Sequence, residues 1–281
     1  MTPTLAFGPD WSASLRRGND AELRGWVEAA LRWCGEADGI AMRSFRRDVV
    51  VTQKPDRTFV TEADIAIERF IRDRIATTFP GHGVLGEEYG ADAADASVRW
   101  YVDPIDGTHN YLRGVPVFAT LLAAERDGEL QAAVISAPAL HARWYGWRGG
   151  GAWAVDVPGD APRRITVSRI GRLEDAQLLY AGAAELEASG LAPGFRAILA
   201  AAWRERGFGD FWGYTLLAEG AAEAMFEVGL SAWDAAAPAL LVEEAGGRVS
   251  DFDGRRSIAS GSFLATNGLL HDEVLGRLLG A

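Results

Sequence analysis

Acidic residues recur where the chain would present groups to a ligand: Asp64 in Val60-Thr61-Glu62-Ala63-Asp64, Glu87 and Glu88 after Gly86, Asp103 and Asp106 in Asp103-Pro104-Ile105-Asp106-Gly107-Thr108, and Asp234 after Trp233. Carboxylate oxygens at this density suit a hard cation. With no His or Cys cluster in the chain, Mg²⁺ is the metal that the donor types select. Two such ions, about 3.5–4 Å apart, clamp the attacking and leaving oxygens of a phosphoryl transfer. They also supply the positive charge that an acidic protein needs to admit a phosphate ester. Asp103 and Asp106 follow the apolar run Trp100–Val102 in a turn closed by Gly107, where the Ile105 carbonyl is free to complete a metal shell. Their i, i+3 spacing differs from the i, i+2 pair of an aspartyl-nucleophile phosphatase, which disfavours covalent aspartyl chemistry. Thr108 opens a helical turn whose N–H groups can receive phosphate oxygens, and its hydroxyl can orient water.

Each feature also has a plainer use. The Asp-Pro-Ile-Asp-Gly-Thr string suits an Asx-type turn, Thr61-x-x-Asp64 a capping box, Asp234 a helix cap, and Glu87-Glu88 a solvated loop. Their joint occurrence in this order argues for a binuclear ligand set.

The elements that must hold these groups follow from periodicity. Asn19 or Asp20 caps a helix carrying Leu23, Trp26, Val27, Ala30, Leu31 and Cys34 at helical spacing. A second helix starts near Thr61, carries Ile65, Ile67, Phe70, Ile71 and Ile75, and ends at Pro80-Gly81, so two helices precede any sheet. Strands are expected at 84–85 and 100–102. Residues 117–126 and 129–137 form a hairpin through Asp127-Gly128, and 144–147 and 152–155 form another around Gly149–Gly151. Behind them the pattern alternates: strand 176–181, helices 195–206 and 211–221, strand 224–228, helix 234–245, strands 247–252 and 263–266, and helix 269–279. This is a layered α/β sandwich. Residues 1–20 read as an N-terminal extension to a unit over 21–281, with an α+β front lobe at about 21–160 and an α/β rear lobe at about 161–281.

Of 281 residues 48% are apolar, enough for a full core. A net charge of −11 offers no footprint for nucleic acid or an anionic membrane surface. Cys34 is the lone cysteine, and His82, His109, His141 and His271 lack paired ligand spacing, which leaves out structural zinc. The N-terminus has no secretory pattern and no stretch reaches the ~18 apolar residues of a membrane span, so a cytoplasmic protein is expected. Gly81-His82-Gly83-Val84-Leu85-Gly86 fits a dinucleotide fingerprint but follows a helix rather than a strand. P-loop and serine-hydrolase motifs are absent.

With these residues in place the chain resembles the inositol monophosphatase-like superfamily of Mg²⁺-dependent phosphatases. The likeness runs through Lys54, Asp56, Thr58, Thr61 and Asp64, then Gly86-Glu87-Glu88, Asp103 to Thr108 with Asn110, Trp233-Asp234 and Glu243 to Gly247. Trp100–Trp153 and Gly209-Asp210-Phe211-Trp212-Gly213-Tyr214 look most like the superfamily's histidinol-phosphate phosphatases. The resemblance implies a five-layered αβαβα fold like that of the inositol and fructose-1,6-bisphosphate phosphatases, a homodimer, and no covalent intermediate. It implies two or three Mg²⁺ ions: Glu87, Asp103 and the Ile105 carbonyl holding the first, Asp103, Asp106 and Asp234 the second, and Glu87 touching a third. Thr108 paired with Asp64 would position and deprotonate a metal-activated water, and the Gly107 and Thr108 amides would hold phosphate. Glu227 and Asp210 would meet the rest of the substrate, as would His109, which stands where relatives more often carry Thr or Lys. The expected substrate is L-histidinol phosphate in histidine biosynthesis. The rivals are an inositol, sugar or 3′-phosphoadenosine phosphatase and, in another class, a non-catalytic metal- or phosphate-binding protein.

Overall fold

A computed structural model describes residues 21–47, 51–53, 59–93, 95–157 and 159–280. Asn19, Asp20, the rest of the N-terminal extension, Lys54, Asp56 and Thr58 lie outside them.

Helix α1 (Ala21–Ser44) and helix α2 (Glu62–Thr78) bury their apolar stripes against one sheet. Between them a short antiparallel hairpin, β1 (Val51–Gln53) and β2 (Phe59–Thr61), forms its own two-stranded sheet. A sheet therefore does intervene between the first two helices. Three-residue strands with partly exposed side chains leave little alternation for sequence reading to find.

The large sheet contains β3 (Gly83–Gly86), β4 (Gly90–Asp92), β5 (Val98–Asp106), β6 (Ala119–Arg126), β7 (Glu129–Ala137), β8 (Ala142–Trp147), β9 (Gly151–Val155) and β10 (Arg163–Ile165), in spatial order β10-β9-β8-β7-β6-β5-β3-β4. Alternation sorts its side chains: Trp100, Val102, Leu122 and Val134 face α1 and α2, while Tyr101, Leu121, Ala123 and Ile135 face the opposite way. Asp127 and Gly128 both take positive φ, 51° and 84°, the turn type that Asp-Gly favours between twisted strands.

The opposite face is covered by α6 (Asp210–Ala218) and α7 (Ala232–Glu244), which also pack on a second sheet. That sheet holds β11 (Gln177–Tyr180), β12 (Arg204–Arg206), β13 (Ala224–Val228), β14 (Arg248–Ser250) and β15 (Ser262–Thr266), in order β12-β11-β13-β15-β14. The short α4 (Ala183–Leu186), α5 (Ala192–Ala201) and α8 (His271–Leu279) close its outer face through Phe195, Ile198, Phe226, Val274 and Leu278. Five layers result, αβαβα, as the resemblance implies. The helix expected over 195–206 stops at Ala201, and Arg204–Arg206 instead becomes an edge strand parallel to β11. Charged residues at an edge protect it from further pairing.

In this rear half His271 is fully buried, its Nε2 2.9 Å from the Ser250 hydroxyl and its Nδ1 3.0 Å from that of Thr266. Ser250 donates onward to the Asp251 carbonyl, so Nε2 carries the proton and the ring is neutral. Burial holds its pKa down at about 4, against 6.5 in free solution. Because the folded pKa lies below the unfolded one, this contribution is present above pH 6.5 and is lost as pH falls toward 4. We expect the stability difference between wild type and His271→Gln to shrink across that window, by up to about 3 kcal/mol. Urea denaturation at pH 7.5 and pH 4.5 measures it, and a difference independent of pH contradicts the assignment.

Candidate active site

The site begins with an irregularity in β5. Asp103 pairs with Leu121, but the next pairing is Asp106 with Ala119, so three steps on β5 answer two on β6. In a regular strand residues i and i+3 face opposite sides; the bulge restores both acids to one side, and Asp103 and Asp106 line the same cavity. Thr120 holds the bulge by donating its hydroxyl to the Pro104 carbonyl at 2.8 Å. The strand thus continues through Asp106, beyond the expected end at Val102. Gly107 follows with φ 80°, and a Cβ there would stand 3.0 Å from the Val117 carbonyl oxygen, so the turn requires glycine. Helix α3 (Thr108–Leu112) starts at once, and the Thr108 hydroxyl donates back to the Ile105 carbonyl at 3.0 Å.

Two other acids come from capping boxes. Asp64 accepts from the Thr61 backbone N–H at 2.7 Å and from its hydroxyl at 2.5 Å, while Ser231 N–H donates to Asp234 at 2.7 Å. The plain capping roles are therefore real and coexist with a place near the cavity. Asp64 Oδ1 is buried without a hydrogen-bond partner. Asp64 does not line the cavity, and the hydroxyl of Thr108 turns to Ile105 rather than to it. The capping box accounts for that, since Thr61 binds Asp64 toward its own helix.

Glu87 is set by a residue that sequence reading missed. Glu68 lies fully buried on α2 and accepts from the backbone N–H groups of Glu88 at 2.7 Å and Tyr89 at 3.1 Å. Its carboxylate sits where a Cβ on residue 86 would be, only 2.2 Å from it, which explains Gly86 ahead of the two glutamates. The signal was an acid inside the apolar stripe of Ile67 and Ile71, four residues from both Asp64 and Arg72.

From the rear layers, Asp210 takes φ 55°, a left-handed conformation that Asp tolerates. The turn aims the Phe211 N–H at Asp106 Oδ2, 2.6 Å away, and Asn110 Nδ2 donates to Asp210 at 3.1 Å. Tyr214, also unforeseen, donates its hydroxyl to Glu227 at 3.0 Å. His109 is exposed, stands edge-on to Phe59 with ring centroids 5.4 Å apart, and lines the cavity together with Asp210.

The cavity, about 370 Å³, thus brings together Glu87, Asp103, Ile105, Asp106, Gly107, Thr108, His109, Asp210, Glu227 and Asp234, with no Lys or Arg among its described lining residues. Burial raises the acids. Asp103 is pushed well up by desolvation and then by Glu87, and Asp106 by desolvation and then by Asp210. Burial lifts Asp64 to about 7, Glu227 to about 8, and Asp234 to about 6, the last despite the Ser231 N–H. Asp103 and Asp234 lie close enough to share a hydrogen bond.

Oxygen donors alone, with a buried Asp103 Oδ1 that finds no partner, are the chemistry of a hard divalent cation. The fit is one of donor type: among the described residues no three acidic, His or Cys side chains form a ready metal shell. Carboxylates that repel one another have no reason to close without a cation between them.

The inositol monophosphatase family model matches residues 22–279. The chain belongs to the inositol monophosphatase family. It is 46% identical to a histidinol-phosphatase of Mycobacterium tuberculosis, over 82% of this chain and 88% of that one. It is 43% identical to a histidinol-phosphatase of Streptomyces coelicolor, over 86% and 92%. Among solved structures, the extragenic suppressor protein suhB of Bartonella henselae superposes with a TM-score of 0.83 at 28% identity, over 92% of this chain and 99% of that one. No helix among the described residues is long and apolar enough to cross a membrane.

Gathering like charges in a recessed, partly desolvated cavity costs stability that a cation would return. Mg²⁺ should raise the melting temperature in proportion to ln(1 + [Mg²⁺]/Kd). Asp103→Asn should melt higher than wild type in EDTA, by on the order of 1–3 kcal/mol of stability, and should lose most of the Mg²⁺-dependent rise. A rise that persists in full in Asp103→Asn argues against Asp103 as a metal ligand.

Proposed function

We propose that this phosphatase-family chain is an Mg²⁺-dependent phosphomonoesterase that hydrolyses L-histidinol phosphate by direct attack of water on phosphorus. The observation that carries the reading is a single acid-lined cavity. Glu87, Asp103, Asp106 and Asp234 line this cavity alone, whereas Asp210 and Glu227 also border the neighbouring cavity. Relatives at 43–46% identity named as histidinol-phosphatases support it.

Glu87, Asp103, Asp106, Asp234 and the Ile105 carbonyl would hold two or three Mg²⁺ ions. Bound there, these would neutralise the phosphate and make nearby water more acidic. The remaining steps belong to the chain. The Gly107 and Thr108 N–H groups hold phosphate oxygens at the start of α3. Thr108, which lines the cavity, orients the attacking water, and Asp64, behind the cavity wall with an unpartnered Oδ1, takes the proton by way of the Thr108 hydroxyl once that hydroxyl turns from the Ile105 carbonyl to Asp64. The water oxygen bonds to phosphorus as the ester P–O bond breaks, and the departing histidinol oxygen takes a proton from water in the cleft.

Asp210 and Glu227 choose the alcohol. Histidinol phosphate carries an ammonium, whereas inositol and sugar phosphates offer neutral hydroxyls, and a charge-assisted hydrogen bond is worth about 1.5–3 kcal/mol. Half-buried acids with no Lys or Arg among the described lining residues favour the charged group.

Two measurements test the reading. Thr108→Ala and Asp64→Asn should lower kcat by about 10²–10⁴ with a much smaller change in KM, as loss of general-base assistance requires. A raised KM with normal kcat would make either residue a substrate holder. Asp210→Asn and Glu227→Gln should depress kcat/KM for histidinol phosphate about tenfold to hundredfold more than for inositol 1-phosphate. A wild-type enzyme that prefers inositol 1-phosphate overturns the histidinol assignment and leaves the phosphatase one standing.

A further inference from the structure

A second cavity, about 710 Å³, opens beside the first and shares Asn110, Asp210, Glu227 and Gly229 with it. Its far wall has a different chemistry. Val115, Val117, Phe208 and Trp212 make it apolar, and Glu185 is the charged group it adds. The Phe208 and Trp212 rings lie 4.9 Å apart at 35° and are both half-buried, so an aromatic surface is held in place at the edge of the cleft. Glu185 stands in the first turn of α4 with its carboxylate folded over Gly182; Oε2 occupies the space a Cβ on residue 182 would need, 1.8 Å from its position. Glycine at 182 therefore lets this acid lie against the backbone at the rim.

Neither cavity has a Lys or Arg among its described lining residues, and the charge of Glu185 reaches both Asp210 and Glu227. An aromatic pair and an exposed acid lining one cavity suit a planar ring that donates N–H, and suit a polyol poorly. The order of features along the joined cavities also matters. It runs from the metal-type carboxylates, through Asp210 and Glu227 at the junction, to the aromatic wall with Glu185. Histidinol phosphate has the same order: phosphate, ammonium, imidazole.

We propose that the second cavity seats the ring of the substrate, with the ring face against Trp212 and a ring N–H donating to Glu185. This rests on the histidinol phosphate reading and adds to it a site for the group farthest from phosphorus. Glu185 and Trp212 are then specificity residues that never touch the reacting atoms, so their effect falls on KM.

The test uses the full-length enzyme with Mg²⁺ and two esters, L-histidinol phosphate and 2-aminobutyl phosphate, which keeps the amine and the phosphate but lacks the ring. Glu185→Gln and Trp212→Leu should each raise KM for histidinol phosphate about tenfold, and for the ringless ester by less than a third of that. Trp203→Leu, at an exposed tryptophan outside both cavities, is the control and should change neither. L-Histidinol alone should quench tryptophan fluorescence in wild type, and the quenching should be lost in Trp212→Leu. Equal losses on both esters would make Glu185 a diffuse electrostatic influence, and no loss on either would leave the cavity without a ring; both overturn the proposal. If wild type fails to prefer histidinol phosphate, the substrate reading itself fails. If it prefers that ester and the variants match it, only the ring seat is overturned.

Discussion

Mutual repulsion among buried carboxylates is the constraint around which this molecule is built. Asp103, Asp106, Asp234, Asp64 and Glu227 are desolvated, each is held above its ordinary pKa, and each lies in the field of others. No such group would gather spontaneously, because burial and like charge both disfavour the ionised form. The rest of the fold supplies the rigidity that keeps them together. Backbone N–H groups at two capping boxes and at the start of α6 fix Asp64, Asp234 and Asp106, and each is anchored by a separate element.

That anchoring explains why five layers are needed. Asp103 and Asp106 come from the large sheet, Asp210 and Asp234 from the helices between the sheets, and Glu227 from the second sheet. The central helices are apolar on nearly every side, as elements covered by sheets on both faces must be. Arg148 and Glu244 tie these layers at the surface: Arg148 donates to Glu243 at 2.8 Å, and Glu244 accepts from the N–H groups of Gly149 and Gly151.

Much of this was legible in the residues. Acids at strand ends, the i, i+3 pair and the Asp-Gly hairpin are local signals, written in a few neighbouring positions. What stayed hidden depends on distant parts of the chain. Glu68 reaches residues twenty positions away, Tyr214 finds Glu227 across a turn and a strand, and Asn110 meets Asp210 a hundred residues on. The bulge was hidden for another reason: Pro104 and Thr120 make it jointly, and neither residue type predicts it alone. The strands β1, β2 and β12 have three residues each, too few for an alternation of period two to repeat or for a helical turn to complete.

The cavity that spans both sheets also has a historical consequence. Of the acids lining the first cavity, Asp103 and Asp106 hang from β5 and Asp234 from the start of α7, while Asp210 and Glu227, which border both cavities, hang from α6 and β13. A lineage with this architecture can therefore exchange one alcohol for another by drift in α4, α6 and β13, while the bulge in β5 and the start of α7 stay untouched. Divergence of taste with continuity of chemistry is what such a division makes easy.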